Sequence, residues 1–335
     1  MTEREKINSI FELKNTGVSG FWAGNPHKDT WKIYLSQLNV NTRDEVFDLL
    51  NDDCRWFRAD ESYKHPENKP MFDVYCGQEK HSHGQAGFFS DCEDVRDVEK
   101  FNWPDVKYFD FKENIETISK YPNKMMFSGL SSVFFHVLCD FFGLENYFVK
   151  MYTDPDVVEA VTERVINFYE EANDLYFTQL GDKSDVFFFS NDFGSQLDVL
   201  ISPEMFAKFV LPGVKRLVAV AKKHNKKVLL HSCGSIYKII PMLIDAGIDA
   251  LHPLQARAKN MDVKTLAQFK NDIAFVGGVD TQDLLVNGTP EEVKDNVRYI
   301  REILGENLVI SPSHEALLSN VPFENVLAMA QAAKE

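Results

Sequence analysis

The feature that most narrows the fold of this chain is an alternation that begins near Lys124, where short β-rich runs take turns with helical stretches. The runs are Lys124 to Leu130 (KMMFSGL), Asp185 to Ser190 (DVFFFS), Lys227 to His231 (KVLLH), Ala250 to Pro253 (ALHP), Ile273 to Val279 (IAFVGGV) and Leu308 to Ser311 (LVIS). Most are apolar throughout, as strands of a parallel sheet are when both faces are buried. Helix signals lie between them. Asp154-Pro155, Ser202-Pro203-Glu204 and Thr289-Pro290-Glu291-Glu292 each place a capping residue before a proline, with acids in the first turn. Gly247 and Gly305 stand where helices end. Such alternation specifies βαβ units and a parallel sheet, either doubly wound or closed into a barrel.

Polar residues at the strand ends separate the two. DVFFFS runs into Asn191-Asp192-Phe193-Gly194, KVLLH ends at His231-Ser232-Cys233-Gly234, and ALHP leads to Gln255. IAFVGGV leads to Asp280-Thr281-Gln282, and LVIS to Pro312-Ser313-His314. Only a closed barrel gathers all these ends round one mouth, where its active site lies. No Gly-rich phosphate loop follows any strand, which removes the main reason to prefer a nucleotide fold. The reading is an α/β protein, a (β/α)8 TIM barrel, with residues 1–335 forming one domain. Residues 1–123 are the irregular N-terminal part of that domain.

His231 and Cys233 carry the most chemistry. Residues i and i+2 of a strand share a face, so both side chains can point into the mouth. Imidazole and thiolate are preferred zinc ligands, and Gly234 allows a sharp turn behind them. His314, at the end of the last strand, is the best third ligand. The plainer alternative is a hydrogen-bonded histidine beside a small buried cysteine. Asp192 and Asp280 are the candidate catalytic acids, to orient a ligand or act as general base, although Asp280 could equally cap a helix. Asp53 and Arg55, flanking Cys54, are candidate substrate-binding residues that could pair at an early strand end. Gln196, Gln255 and Gln282 are suited to orienting a substrate. His81-Ser82-His83 with Cys92 reads as a solvated loop.

Composition bounds the partners. The net charge of −15 repels nucleic acid and anionic membranes. No apolar run approaches the roughly 20 residues of a membrane helix. The polar start MTEREKINSIFELKN carries no signal-peptide core, and five cysteines without a short-spaced framework fit the cytoplasm. The 27 Phe are read mainly as core.

At these residues the chain resembles the uroporphyrinogen decarboxylase superfamily. The resemblance rests on N-D-F-G-S-Q with L-I-S-P-E-M-F, H-S-C-G-S-I, H-P-L-Q, G-G-V-D-T-Q, and S-P-S-H followed by V-P-F-E-N-V. Asn51-Asp52-Asp53-Cys54-Arg55 and Phe101-Asn102-Trp103-Pro104-Asp105 add weaker support. It implies a (β/α)8 barrel. One branch comprises metal-free decarboxylases with an arginine-rich segment near the N-terminus; here Gly20-Phe21-Trp22-Ala23-Gly24-Asn25 stands about there instead. The other comprises methyltransferases working with corrinoid (cobalamin) proteins, of which those acting on coenzyme M hold zinc through a His-x-Cys pair and a later Cys. His231 and Cys233 match that pair, and His314 replaces the later cysteine, leaving a less electron-rich site. The resemblance therefore implies zinc and a corrinoid carried by a partner protein. The leading expectation is methyl transfer between that corrinoid and a small methylated donor or acceptor. The mouth should have an open, partly apolar rim, to which Phe187 to Phe189 and Phe193 would contribute. A metal-free decarboxylase and a catalytically silent binding barrel are the competing expectations.

Overall fold

A computed structural model describes every residue of the chain except Thr16 and His83, so the latter member of the His81-Ser82-His83 group lies outside the described residues. Eight parallel strands form one sheet: β1 (Gly20–Phe21), β2 (Cys54–Arg58), β3 (Met125–Gly129), β4 (Val186–Ser190), β5 (Lys227–His231), β6 (Ala250–His252), β7 (Ala274–Val279) and β8 (Leu308–Pro312). Their order is β1-β8-β7-β6-β5-β4-β3-β2, so the sheet curls until its two ends, β1 and β2, meet. The six late runs read from the sequence are β3 to β8, each within one or two residues of the expected bounds.

Parity along the strands builds two cores. Val186, Phe188, Leu229, Ala250, Ala274, Val276 and Val309 face inward and pack together with Cys54, Met125, Phe127 and Trp22. The alternate residues, among them Phe187, Phe189, Leu230, Leu251, Phe275 and Ile310, face outward against the helices. Burial on both faces is why these strands carry no polar alternation. Helix α1 (Glu3–Phe11), opened by a capping box between Thr2 and Glu5, contributes Ile7, Ile10 and Phe11 to the inner core and so plugs the barrel floor. The helices expected after Asp154 and Thr289 run Pro155–Leu180 and Pro290–Leu304. The one expected after Ser202 is broken into Pro203–Phe209 and Leu211–Lys223, because Pro212 restarts it.

The β1–β2 seam is closed by backbone and side-chain hydrogen bonds where a regular ladder would be. The Asp53 amide donates to Phe21 O (3.0 Å), while Asp53 Oδ2 accepts from Phe21 N (2.8 Å). Asp52 accepts from Ala23 N (2.7 Å) and Cys54 N (2.9 Å). Burial pushes the Asp52 carboxyl up to about 7 against the pull of Arg55 and these two amides. Lys6 Nζ lies 2.6 Å from Asp53 Oδ2. Asp53 thus precedes β2 at the floor of the barrel, and its partner is Lys6. The expected Asp53–Arg55 pair does not form: Phe21 N and Lys6 engage Asp53, while Arg55 stacks on Phe47 (4.4 Å) and faces Asp44 and Asp48.

Candidate functional site at the barrel mouth

The inward parity that buries Leu229 and Ala250 continues to His231 and His252, one step nearer the mouth. Two loops then bring the other groups in. The Asn191 to Ser195 loop after β4 lies backbone to backbone on the His231 to Ser235 loop after β5. The contact is made through glycines: Gly234 sits at φ +84°, and a Cβ there would overlap the Gly194 backbone. A Cβ on Gly194 would meet Ser235 N at 2.7 Å. Phe193 N donates to Ser232 Oγ (3.0 Å) and Ser235 N to Ser195 O (2.7 Å). Asp192 Oδ1 then accepts from Cys233 N (2.8 Å), and Gln255 Oε1 accepts from Gly234 N (2.6 Å).

The result is a cluster of Asp192, His231 and Cys233 whose ligand atoms all lie within 4.8 Å of one another. His231 Nε2 is 3.4 Å from Cys233 Sγ and 3.4 Å from Asp192 Oδ1. Atoms bound to one tetrahedral zinc at about 2.0–2.3 Å sit about 3.3–3.7 Å apart, so both His231 spacings fit such an ion. The donor set of imidazole, thiol and carboxylate fits it too. His136 Nε2, from the Phe134–Phe142 helix, approaches Asp192 Oδ2 at 3.7 Å.

Charges in the cluster hold one another. Burial works against a charged Asp192, yet hydrogen bonds from His136, His231 and the Cys233 amide keep its carboxyl well below the usual range. Burial also opposes charge on His231, but Asp192 and Cys233, with Glu315 beyond, hold the ring up to about 10. The Cys233 thiol is lowered: burial would raise it, and His231 and His314 outweigh burial. His231 Nδ1 meets His252 Nδ1 at 2.9 Å. Burial, then the positive charge on His231 and His314, pushes His252 well below its ordinary value. His252 is therefore the neutral acceptor, and His231 donates from Nδ1 and presents Nε2 to the cluster.

The other expected residues fall in distinct places. His314 stands next to Cys233 but outside the three-residue cluster. Its ring centroid is 6.4 Å from that of His231, and its Nδ1 accepts from Ala316 N (3.1 Å). Hydrogen bonding to Cys233 raises it above the ordinary histidine value despite burial. A cavity of about 400 Å³ opens beside it, lined by Gln255, Thr281, Gln282, Ser313, His314 and Leu318 among others. Asp280 pairs with Arg257 (2.7 Å) and accepts from Gln282 N (2.8 Å), which is a loop-capping role. Gln196 is exposed and offers its backbone carbonyl to Lys259 N. The expected phenylalanine rim is corrected: Phe187, Phe188, Phe189 and Phe193 are all buried, because strand parity and the loop contact turn them into the two cores. Leu197 (73% exposed) and Leu318 (57%) are the large apolar side chains exposed in the β4 and β8 loops. Sequence reasoning missed His136, His252 and Glu315. For His252 a signal existed, since it lies two residues after the inward Ala250.

Fold and site together define a (β/α)8-barrel protein with a histidine, a cysteine and an aspartate converging at the C-terminal mouth. The chain belongs to the uroporphyrinogen decarboxylase (URO-D) family, whose profile matches residues 82–335. Among its relatives is a methylated-thiol–coenzyme M methyltransferase of Methanosarcina mazei, 29% identical over 194 residues, which are 58% of this chain and 48% of that protein. Another is the methylcobamide:CoM methyltransferase MtbA of Methanosarcina acetivorans, 27% identical over 135 residues, covering 40% of this chain and 38% of that protein. The chain thus matches about half or less of the length of these curated relatives. A solved structure of a methyltransferase from Methanosarcina mazei superposes with a TM-score of 0.69 over 99% of this chain and 98% of that one. At 14% identity that likeness concerns the fold.

Proposed function

We propose that the protein is a zinc-dependent methyltransferase that moves a methyl group between a corrinoid carried by a partner protein and a small methylated donor or acceptor. The observation that carries the reading is the 3.4 Å spacing of His231 Nε2 from both Cys233 Sγ and Asp192 Oδ1. The curated relatives' names support methyl transfer and, for one, a methylcobamide reactant.

His231, Cys233 and Asp192 would hold the ion. When bound, zinc supplies Lewis acidity to a heteroatom that gains or loses the methyl group. The chain's own residues do the rest. His252 fixes the His231 ring so that Nε2 faces the cluster, and Gln255 pins the Gly234 turn that positions Cys233. Gln255, Gln282 and Ser313 line the adjoining cavity, where the small reactant would be oriented. His314, beside Cys233 and half-buried, is placed to exchange a proton with the reacting heteroatom. Asp280 acts through the loop it caps. Leu197 and Leu318 supply the apolar rim against which a corrin face would rest. Five free cysteines suit a reducing cytoplasm.

The test supplies zinc-loaded protein with methylcobalamin and coenzyme M, and separately with cob(I)alamin and methylated donors, following the corrinoid absorbance. Turnover in one direction, lost in Cys233→Ala, is expected. No corrinoid conversion, together with decarboxylation of uroporphyrinogen, would refute the proposal and favour the metal-free alternative.

A further inference from the structure

A second cavity, of about 320 Å³, lies over the β1–β2 seam, between the strands and the two helices that follow β1, α2 (Lys28–Leu38) and α3 (Arg43–Leu49). Trp22, Trp31, Phe47, Trp56, Phe57 and Tyr121 give it aromatic walls. It shares Asn25, Arg43, Trp56 and Phe57 with an adjoining cavity of about 410 Å³, so the two form one cleft.

Two of its polar groups are donors without acceptors. Trp31 Nε1 and Trp56 Nε1 are buried atoms with no hydrogen-bond partner among the described residues, and both residues line the cavity. Trp31 is only 3% exposed. One buried N–H left unpaired costs on the order of 1–3 kcal/mol, and native structures rarely leave two together. Arg43 adds a cation at the rim. Its guanidinium lies over the Trp31 ring at 5.3 Å, and among the described residues it has no ion-pair partner. The nearby carboxylates are taken: Asp44 accepts from Tyr121 Oη (2.5 Å), and Asp44 and Asp48 both face Arg55.

We infer that this cleft is a binding site for a small planar carboxylate, its ring held between tryptophan faces and its oxygens on Arg43 and the unpaired indole N–H groups. In the tryptophan-lined half of the cleft, one unpaired guanidinium with neutral donors matches a monoanion; a dianion there would need more positive charge to offset its desolvation. The aromatic walls select a flat body. The inference does not depend on the methyl-transfer reading, because the cleft shares no lining residue with the Asp192, His231 and Cys233 cluster.

Tryptophan fluorescence reads the site directly, since three of the four tryptophans line it. Full-length protein is titrated with benzoate, and with benzamide as the uncharged counterpart. The expectation is saturable quenching by benzoate, at least about tenfold weaker binding of benzamide, and a similar loss for benzoate in Arg43→Gln. Arg43 is exposed, so that variant should keep its melting temperature. Trp31→Phe, which keeps an aromatic wall and removes one donor, should weaken benzoate several-fold. Cys233→Ala should bind benzoate like the parent protein. Absence of saturable quenching, equal binding of benzamide, or full affinity in Arg43→Gln each overturns the inference. So does loss of benzoate binding in Cys233→Ala, which would move the ligand to the barrel mouth.

Discussion

Replacing Asp192 by asparagine isolates the charge that organises the mouth. The substitution is isosteric and keeps an oxygen to accept from Cys233 N, so the loop contact survives. What disappears is the negative charge 3.4 Å from His231 Nε2. His231 is held at about 10 against an ordinary 6.5, which corresponds to on the order of 5 kcal/mol of preference for the charged ring. Asp192 is 39% exposed at its side chain, so solvent screening leaves about half of that as its own share. Without it, Cys233 and Glu315 still oppose burial, and the ring should lose its proton about two pH units lower than in the parent. The sign for stability follows. A raised histidine stabilises the fold fully below 6.5, and that contribution is lost as pH climbs toward about 10. The zinc-free Asp192→Asn protein should therefore be about 2–3 kcal/mol less stable than the parent at pH 6 and nearly equal to it above pH 10. Histidine-selective NMR of the zinc-free proteins reads the ring, and urea unfolding at the two pH values reads the stability. A His231 that titrates alike in both proteins would refute the reasoning.

Other outcomes follow from the same geometry. Because His231 must shed a proton from Nε2 to bind an ion, zinc affinity should climb by up to about tenfold per pH unit between pH 7 and 9, measured by chelator competition. A flat profile would contradict the charged ring. Gly234→Ala puts a Cβ at φ +84° against the Gly194 backbone and should cost at least about 1–2 kcal/mol, with loss of zinc retention; a parent-like melting curve would contradict the close loop contact. Asp53→Ala removes the staple between Phe21 and Lys6 and should cost about 2–4 kcal/mol in urea unfolding, while zinc retention in the folded protein stays intact. Loss of zinc without loss of stability would place Asp53 at the site after all.

How much of this was legible in the sequence depended on length and parity. The late strands are long enough to show continuous apolar runs, and i, i+2 spacing carried His231 to the mouth. The same parity applied to ALHP would have added His252. β1 has only two residues and no periodicity to read, and β2 begins in an acidic stretch whose function is to seal a seam. Asp53 and Arg55 were therefore legible as charged residues at a strand, but their pairing required the floor helix α1 and the outer helix α3. Asp192 was visible after β4, yet its place beside Cys233 depends on two glycines on different loops touching, which no single segment records. The phenylalanines after Asp185 looked like a rim because composition says nothing of side. Backbone alternation decides it, and it sends them into the cores.

Metal content decides whether Asp192, His231 and Cys233 hold zinc at the barrel mouth. Metal analysis of the purified protein, with zinc-edge anomalous scattering from its crystals, should give one zinc per chain among these three residues. In Cys233→Ala that zinc should be lost while the fold is kept. Full zinc retention in Cys233→Ala, or an anomalous peak elsewhere, would contradict the account.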